Sequence, residues 1–166
     1  TAIIIAAIAG VLLATALILG PDRARLDADA RDASPYAFVE LSEGVTEYEI
    51  AGPPSGEPVV LIHGLSIPMF DFDRLFEDLA GAGFRVLRYN QYGRGLSDRP
   101  RGAYDMDRYV AQLTDLIDHF GWDHVHLVGH SMGTAIAAGF AAAHPERVDR
   151  IAMISPVLHL KDGNGG

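Results

Sequence analysis

The sequence predicts an α/β fold built on a mainly parallel sheet, and three observations carry that reading. From residue 36 onward, strand-like and helix-like segments alternate. The run Pro58-Val59-Val60-Leu61-Ile62 is apolar throughout, as expected of a strand buried on both faces. The intervening segments keep helical spacing of apolar residues and stop at glycine or proline. At 166 residues the chain has room for one domain with an appendage.

The appendage comes first. Residues 2–19 form an uncharged run interrupted only by Gly10 and Thr15. As a helix it would be about 27 Å long, close to the thickness of a hydrocarbon core. Gly20-Pro21 would end it, and Asp22-Arg23 would return the chain to water. Residues 1–20 are therefore expected to be a transmembrane anchor, placing the protein in the membrane as a single-pass species with the bilayer as a partner. The alternative is secretion after cleavage of a signal peptide, although the apolar run is longer than a signal core and no prompt small-x-small site follows. Residues 21–35 are charged, alanine-rich and bounded by prolines, which reads as a linker or a frayed helix.

The domain is assigned to residues 36–166. Residues 38–41 and 45–50 suit a hairpin around Ser42-Glu43-Gly44. The strand at 58–62 follows. Phe72, Leu75, Phe76, Leu79 and Ala80 then keep helical spacing up to Gly81 and Gly83. Residues 85–89 are the next strand. Met106, Tyr109, Val110, Leu113, Leu116, Ile117 and Phe120 form an amphipathic helix, with Asp105 placed to cap it and Gly121 beyond its end. A strand at 124–128, an alanine-rich helix at 132–143 stopping before Pro145, and a strand at 150–154 complete the series.

Charge and composition exclude some functions. The 13 Lys+Arg against 22 Asp+Glu give a net charge of -9, which argues against a nucleic-acid partner. There is no cysteine, so disulfides, thiolate metal sites and a cysteine nucleophile are excluded.

The chemistry concentrates at Gly129-His130-Ser131-Met132-Gly133, a G-x-S-x-G between a strand and a helix. A tight turn there presents Ser131 at the carboxyl edge of the sheet, where ligands of open α/β sheets bind. Gly129 and Gly133 leave room for the turn. The Met132 amide opens the helix, where it can face a developing oxyanion. A second element, His63-Gly64-Leu65, follows the strand at 58–62, and a third is the loop Tyr92-Gly93-Arg94-Gly95-Leu96-Ser97-Asp98.

In the order and spacing of these three motifs, residues 38–157 resemble the α/β-hydrolase superfamily of esterases, lipases and peptidases. The resemblance implies Ser131 as nucleophile, the amides of Leu65 and Met132 as oxyanion hole, and His63, Gly64, Gly129, His130 and Gly133 as motif support. It implies no cofactor. Asn90 stands where members often carry Asp, and a local change in hydrogen bonding is expected there. In the family the acid and the base His follow later strands, whereas this series stops after about the sixth. The chain is thus expected to be an N-terminal portion, inactive by itself for want of those two residues.

The other histidines offer little. His119 and His144 occupy ordinary surface contexts, and His159 and Asp162 are weak triad candidates. His124 and His126 share a strand face with Asp123 nearby but lack a third ligand at matching spacing, so no metal is expected. Met69, Phe70 and Phe72 read as core or cap-facing packing that could also line an acyl pocket, and Asp98-Arg99-Pro100-Arg101 as a solvated loop. The expected function is serine hydrolysis of a small carboxylic ester, including lipid-like ones. The alternative is a non-catalytic binding protein of the same fold.

Overall fold

The structure is a computed structural model, and it describes residues 28–156. Six strands form one sheet: β1 Ala37–Leu41, β2 Gly44–Ala51, β3 Pro58–Ile62, β4 Arg85–Tyr89, β5 Val125–His130 and β6 Val148–Ile154, in the spatial order β1-β2-β4-β3-β5-β6. Among the described residues four α-helices accompany them: α1 Ala28–Asp32, α2 Asp73–Gly81, α3 Met106–His119 and α4 Met132–Ala143.

The sheet is mixed. The pairs β4–β3, β3–β5 and β5–β6 are parallel. The predicted hairpin forms, with Leu41 opposite Gly44, and its second strand pairs antiparallel with β4. The expected parallel character therefore holds for the part of the sheet that carries the Gly129–Gly133 turn and gives way at the hairpin.

Alternation along β3 sends neighbouring residues to opposite faces. Val60 and Ile62 join Leu87, Leu113, Leu116, Ile117, Leu127, Ile136 and Phe140 in the larger core, covered by α3 and α4. Val59 and Leu61 join Val86, Phe72 and Phe76 in the smaller core, covered by α2. Each fully buried large side chain contributes about 1.5–3 kcal/mol. The Asp105 carboxylate caps α3, accepting from the Arg108 amide at 3.1 Å. Past the helix, Gly121 takes φ 66°, and the Trp122 amide closes back on the Ile117 carbonyl at 3.2 Å.

Part of the sequence-predicted linker docks. Arg31 of α1 pairs with Asp98 at 2.6 Å and donates to the Leu96 carbonyl at 3.2 Å. The membrane-spanning helix, with the membrane partner and single-pass location built on it, is corrected. Among the described residues no helix is long and apolar enough to cross a membrane. Residues 2–19, on which the anchor rested, lie outside the described residues, so only hydropathy and length supported it, and it is withdrawn. The secreted alternative falls on the same residues.

Candidate active site

Between β5 and α4 the chain turns within one residue. Ser131 sits at φ 50°, ψ -116°, a backbone conformation that costs about 1–3 kcal/mol and must be held by its surroundings. Its amide donates to the Ile154 carbonyl at 2.9 Å, and its carbonyl accepts from the Thr134 amide at 3.0 Å and the Thr134 hydroxyl at 2.6 Å. The glycines of the motif are sterically required. A Cβ on Gly133 would lie 2.0 Å from the Ile62 carbonyl oxygen, and one on Gly129 would lie 2.5 Å from that of Gly133.

The turn after β3 packs directly on this serine. A Cβ on Gly64 would lie 3.2 Å from the Ser131 Cβ. His63 is fully buried beneath that turn. The Gln91 amide donates to its Nε2 at 3.1 Å, so Nδ1 carries the proton and donates to the Gly64 carbonyl at 2.7 Å. Burial is the largest influence on His63 and lowers its pKa to about 4, which keeps this neutral tautomer in place. The Gln91 side-chain amide returns a bond to the His63 carbonyl at 2.7 Å.

Trans peptide geometry sets the Leu65 N–H antiparallel to the Gly64 carbonyl, hence away from the imidazole. On the far side of Leu65, the Arg94 Nε donates to the Leu65 carbonyl at 2.8 Å. Among the described residues, neither the Leu65 amide nor the Met132 amide has an acceptor. Both residues border one cleft of about 390 Å³, whose walls also include Gly93, Arg94, Arg99 and Tyr109.

His130 turns its Nδ1 to the Asp71 carboxylate in a short contact, tying the strand end to the segment that follows the His63–Leu65 turn. The remaining described histidines are occupied elsewhere. His126 meets Glu57 at 3.2 Å and His124 meets Asp149 at 3.7 Å. His119 and His144 rest against the Phe120 and Phe140 rings. Among the described residues no group of three ligating side chains could hold a metal ion. His159 and Asp162 lie outside the described residues.

Asn90 behaves as a hydrogen-bonding variant. Its Nδ2 donates to the buried Glu47 carboxylate at 2.6 Å, and its Oδ1 accepts from the Met69 amide at 2.8 Å. An Asp here would set two carboxylates together, whereas the amide donates to one. Glu47 also accepts from the Leu96 amide at 2.8 Å, holding the 90–98 loop beside the cleft. Met69 and Phe72 are buried in the protein, and neither borders the cleft.

Sequence reasoning missed Asp71, Gln91 and Arg94 as partners of the turn. The type of Arg94 was visible inside its loop motif, but its partner lies 29 residues away and left no local signal. Arg99, read as part of a solvated loop, forms part of the cleft wall.

A family model described as the alpha/beta hydrolase fold matches residues 57–164. The chain belongs to the α/β-hydrolase family. A non-heme chloroperoxidase of Streptomyces lividans is 36% identical over 124 residues, covering 70% of this chain and 44% of that protein. Epoxide hydrolase B of Mycobacterium tuberculosis is 35% identical over 102 residues, 60% of this chain and 29% of that one. Among solved structures, one from work on carboxylesterases of the thaumarchaeon Nitrososphaera gargenis superposes with a TM-score of 0.69 at 32% identity, covering 72% of this chain and 45% of that chain. This chain thus spans less than half the length of these relatives.

Proposed function

We propose that the protein is a serine hydrolase of small carboxylic esters, with Ser131 as nucleophile and the Leu65 and Met132 amides as oxyanion hole. The observation that carries the reading is Ser131 in a strained turn, packed against Gly64, with acceptor-free amides on the residues that follow each of these two. Ser131 Oγ attacks the ester carbonyl, and the tetrahedral oxyanion takes hydrogen bonds from the two amides. Collapse releases the alcohol and leaves an acyl-serine, which water hydrolyses to the acid.

Ser131 also favours the esterase over the epoxide-hydrolase chemistry found among the relatives. Attack by a serine on an epoxide would give an ether, which water does not cleave. Attack on an ester gives another ester, which water does cleave. The ester is therefore the favoured substrate. With the membrane anchor withdrawn, nothing favours a lipid over other esters.

The serine proton needs a base. His63 is bonded at both ring nitrogens, and His130, whose Nδ1 meets Asp71, has no hydrogen bond to the Ser131 hydroxyl among the described residues. We assign the base and its acid partner to residues outside the described ones.

The test is labelling by a fluorophosphonate of the protein as its source makes it, read by mass spectrometry. The adduct is expected on Ser131 and is expected to vanish, with ester hydrolysis, in Ser131→Ala. Ester hydrolysis that survives Ser131→Ala would overturn the assignment. Loss of both labelling and hydrolysis in the native protein would leave the binding-protein reading.

A further inference from the structure

Resting on that reading, we infer that the cleft beside the Leu65 turn selects esters bearing a carboxylate of their own, which Arg94 and Arg99 bind. The chain has 22 acidic against 13 basic residues, so its overall field repels an anionic substrate. Half of the ten described arginines are matched. Arg31, Arg74, Arg88, Arg108 and Arg147 each pair with a carboxylate. Arg94 and Arg99 have no carboxylate within ion-pair distance among the described residues. Arg85, Arg101 and Arg150 share that property, but none of them borders the cleft.

Among the described residues, no Asp or Glu lines the cleft. Two unmatched guanidinium groups therefore border the same cleft as Leu65 and Met132. Their donors remain available. Arg94 uses Nε on Leu65 at 2.8 Å and Nη1 on Gly93 at 3.3 Å, leaving Nη2 without a partner among the described residues. Arg99 makes only long contacts, to the Ser97 and Gly95 carbonyls at 3.4 Å each, which a carboxylate would displace readily.

Guanidinium forks match the planar two-oxygen geometry of a carboxylate. The volume of about 390 Å³ suits a short substrate. A monoester of a short dicarboxylic acid meets all of these conditions. Its carbonyl lies at Leu65 and Met132, and its free carboxylate lies at the arginines. Water and the ester give the dicarboxylate, the alcohol and one proton, so the step needs no other reactant.

The test compares kcat/KM for monomethyl glutarate and methyl butyrate in the protein as its source makes it. The anionic ester is expected to win by about tenfold or more, the scale of one charge-assisted contact. Arg99→Gln is expected to lower the anionic-to-neutral ratio about tenfold, while Arg99→Lys, which keeps the charge and loses the fork, retains only part of it. Arg150→Gln, on an exposed part of β6, should leave the ratio unchanged. A ratio at or below one in the native protein, or one indifferent to Arg99→Gln, would overturn this inference and leave the Ser131 assignment standing. No turnover of either ester, together with no fluorophosphonate adduct, would overturn both.

Discussion

His63 donates its Nδ1 proton to the Gly64 carbonyl at 2.7 Å, and so fixes the plane of the peptide that carries the Leu65 N–H. The bond from the Gln91 amide to Nε2 needs a neutral imidazole, because Nε2 must be unprotonated to accept it. Burial provides neutrality by lowering the pKa of His63 to about 4 from the ordinary 6.5.

A pH dependence of stability follows. The folded pKa lies below the unfolded one, so as pH falls the unfolded chain takes up the proton first. Stability from this group is complete above about pH 6.5 and is lost progressively down to about pH 4, by about 3 kcal/mol in all. Urea unfolding across that range, in the native protein and in His63→Asn, isolates the effect. The native protein should show the steeper loss with acid, and parallel curves would remove the assigned burial effect.

Arg94 holds the same turn from its other end. Removing its bond to the Leu65 carbonyl frees a residue whose side chain is exposed and cannot anchor the backbone by packing. Arg94→Gln is expected to lower kcat for methyl butyrate about tenfold, less than the loss from deleting an oxyanion donor outright. The KM for this neutral ester should move little. A change confined to KM would assign Arg94 to substrate binding alone.

The glycines separate into two kinds. Gly133→Ala would drive a Cβ to 2.0 Å from a backbone oxygen of β3, and the strand cannot yield without disturbing the larger core. A loss of about 3 kcal/mol is expected, a large share of the stability of an ordinary domain. Gly81, the last residue of α2, meets nothing within 4 Å. Gly81→Ala should stabilise by up to about 1 kcal/mol. Urea midpoints of the two variants should move in opposite directions.

Much of this was written locally in the chain. The apolar run at 58–62 became a strand buried on both faces, the spacing from Met106 became α3, and Asp105 became its cap. The Gly-x-Ser-x-Gly turn was legible because its requirements are local: a strand, a helix, and two residues without a Cβ. Long-range pairing was not legible. Nothing in residues 44–51 says that β2 pairs antiparallel with β4, since that choice depends on where a separate strand lies. Likewise Asn90 announced a changed hydrogen bond but not Glu47 as its partner, 43 residues away. Arg99 was visible as a charge, but a single sequence does not say which side of the loop faces the cleft.

The contact between Asp71 and His130 joins the two segments that frame Ser131, and it gives the last prediction. Asp71 follows the Leu65 turn in sequence, while His130 immediately precedes the serine. Both side chains are largely shielded from water, so their attraction is screened less than that of a surface pair. If the contact ties the segments together, the two residues must act as one unit. Asp71→Asn and His130→Asn should each destabilise the protein, and the double variant should lose less than the sum of the two. The expected coupling is about 1 kcal/mol, measured by urea unfolding of all four proteins. The same cycle read on kcat should show coupling of the same sign, because the tie sets the spacing between the Leu65 and Met132 amides. Additive effects on both quantities would reduce the contact to an incidental neighbour. Coupling in stability with none in kcat would keep it as a brace of the fold and remove it from the chemistry.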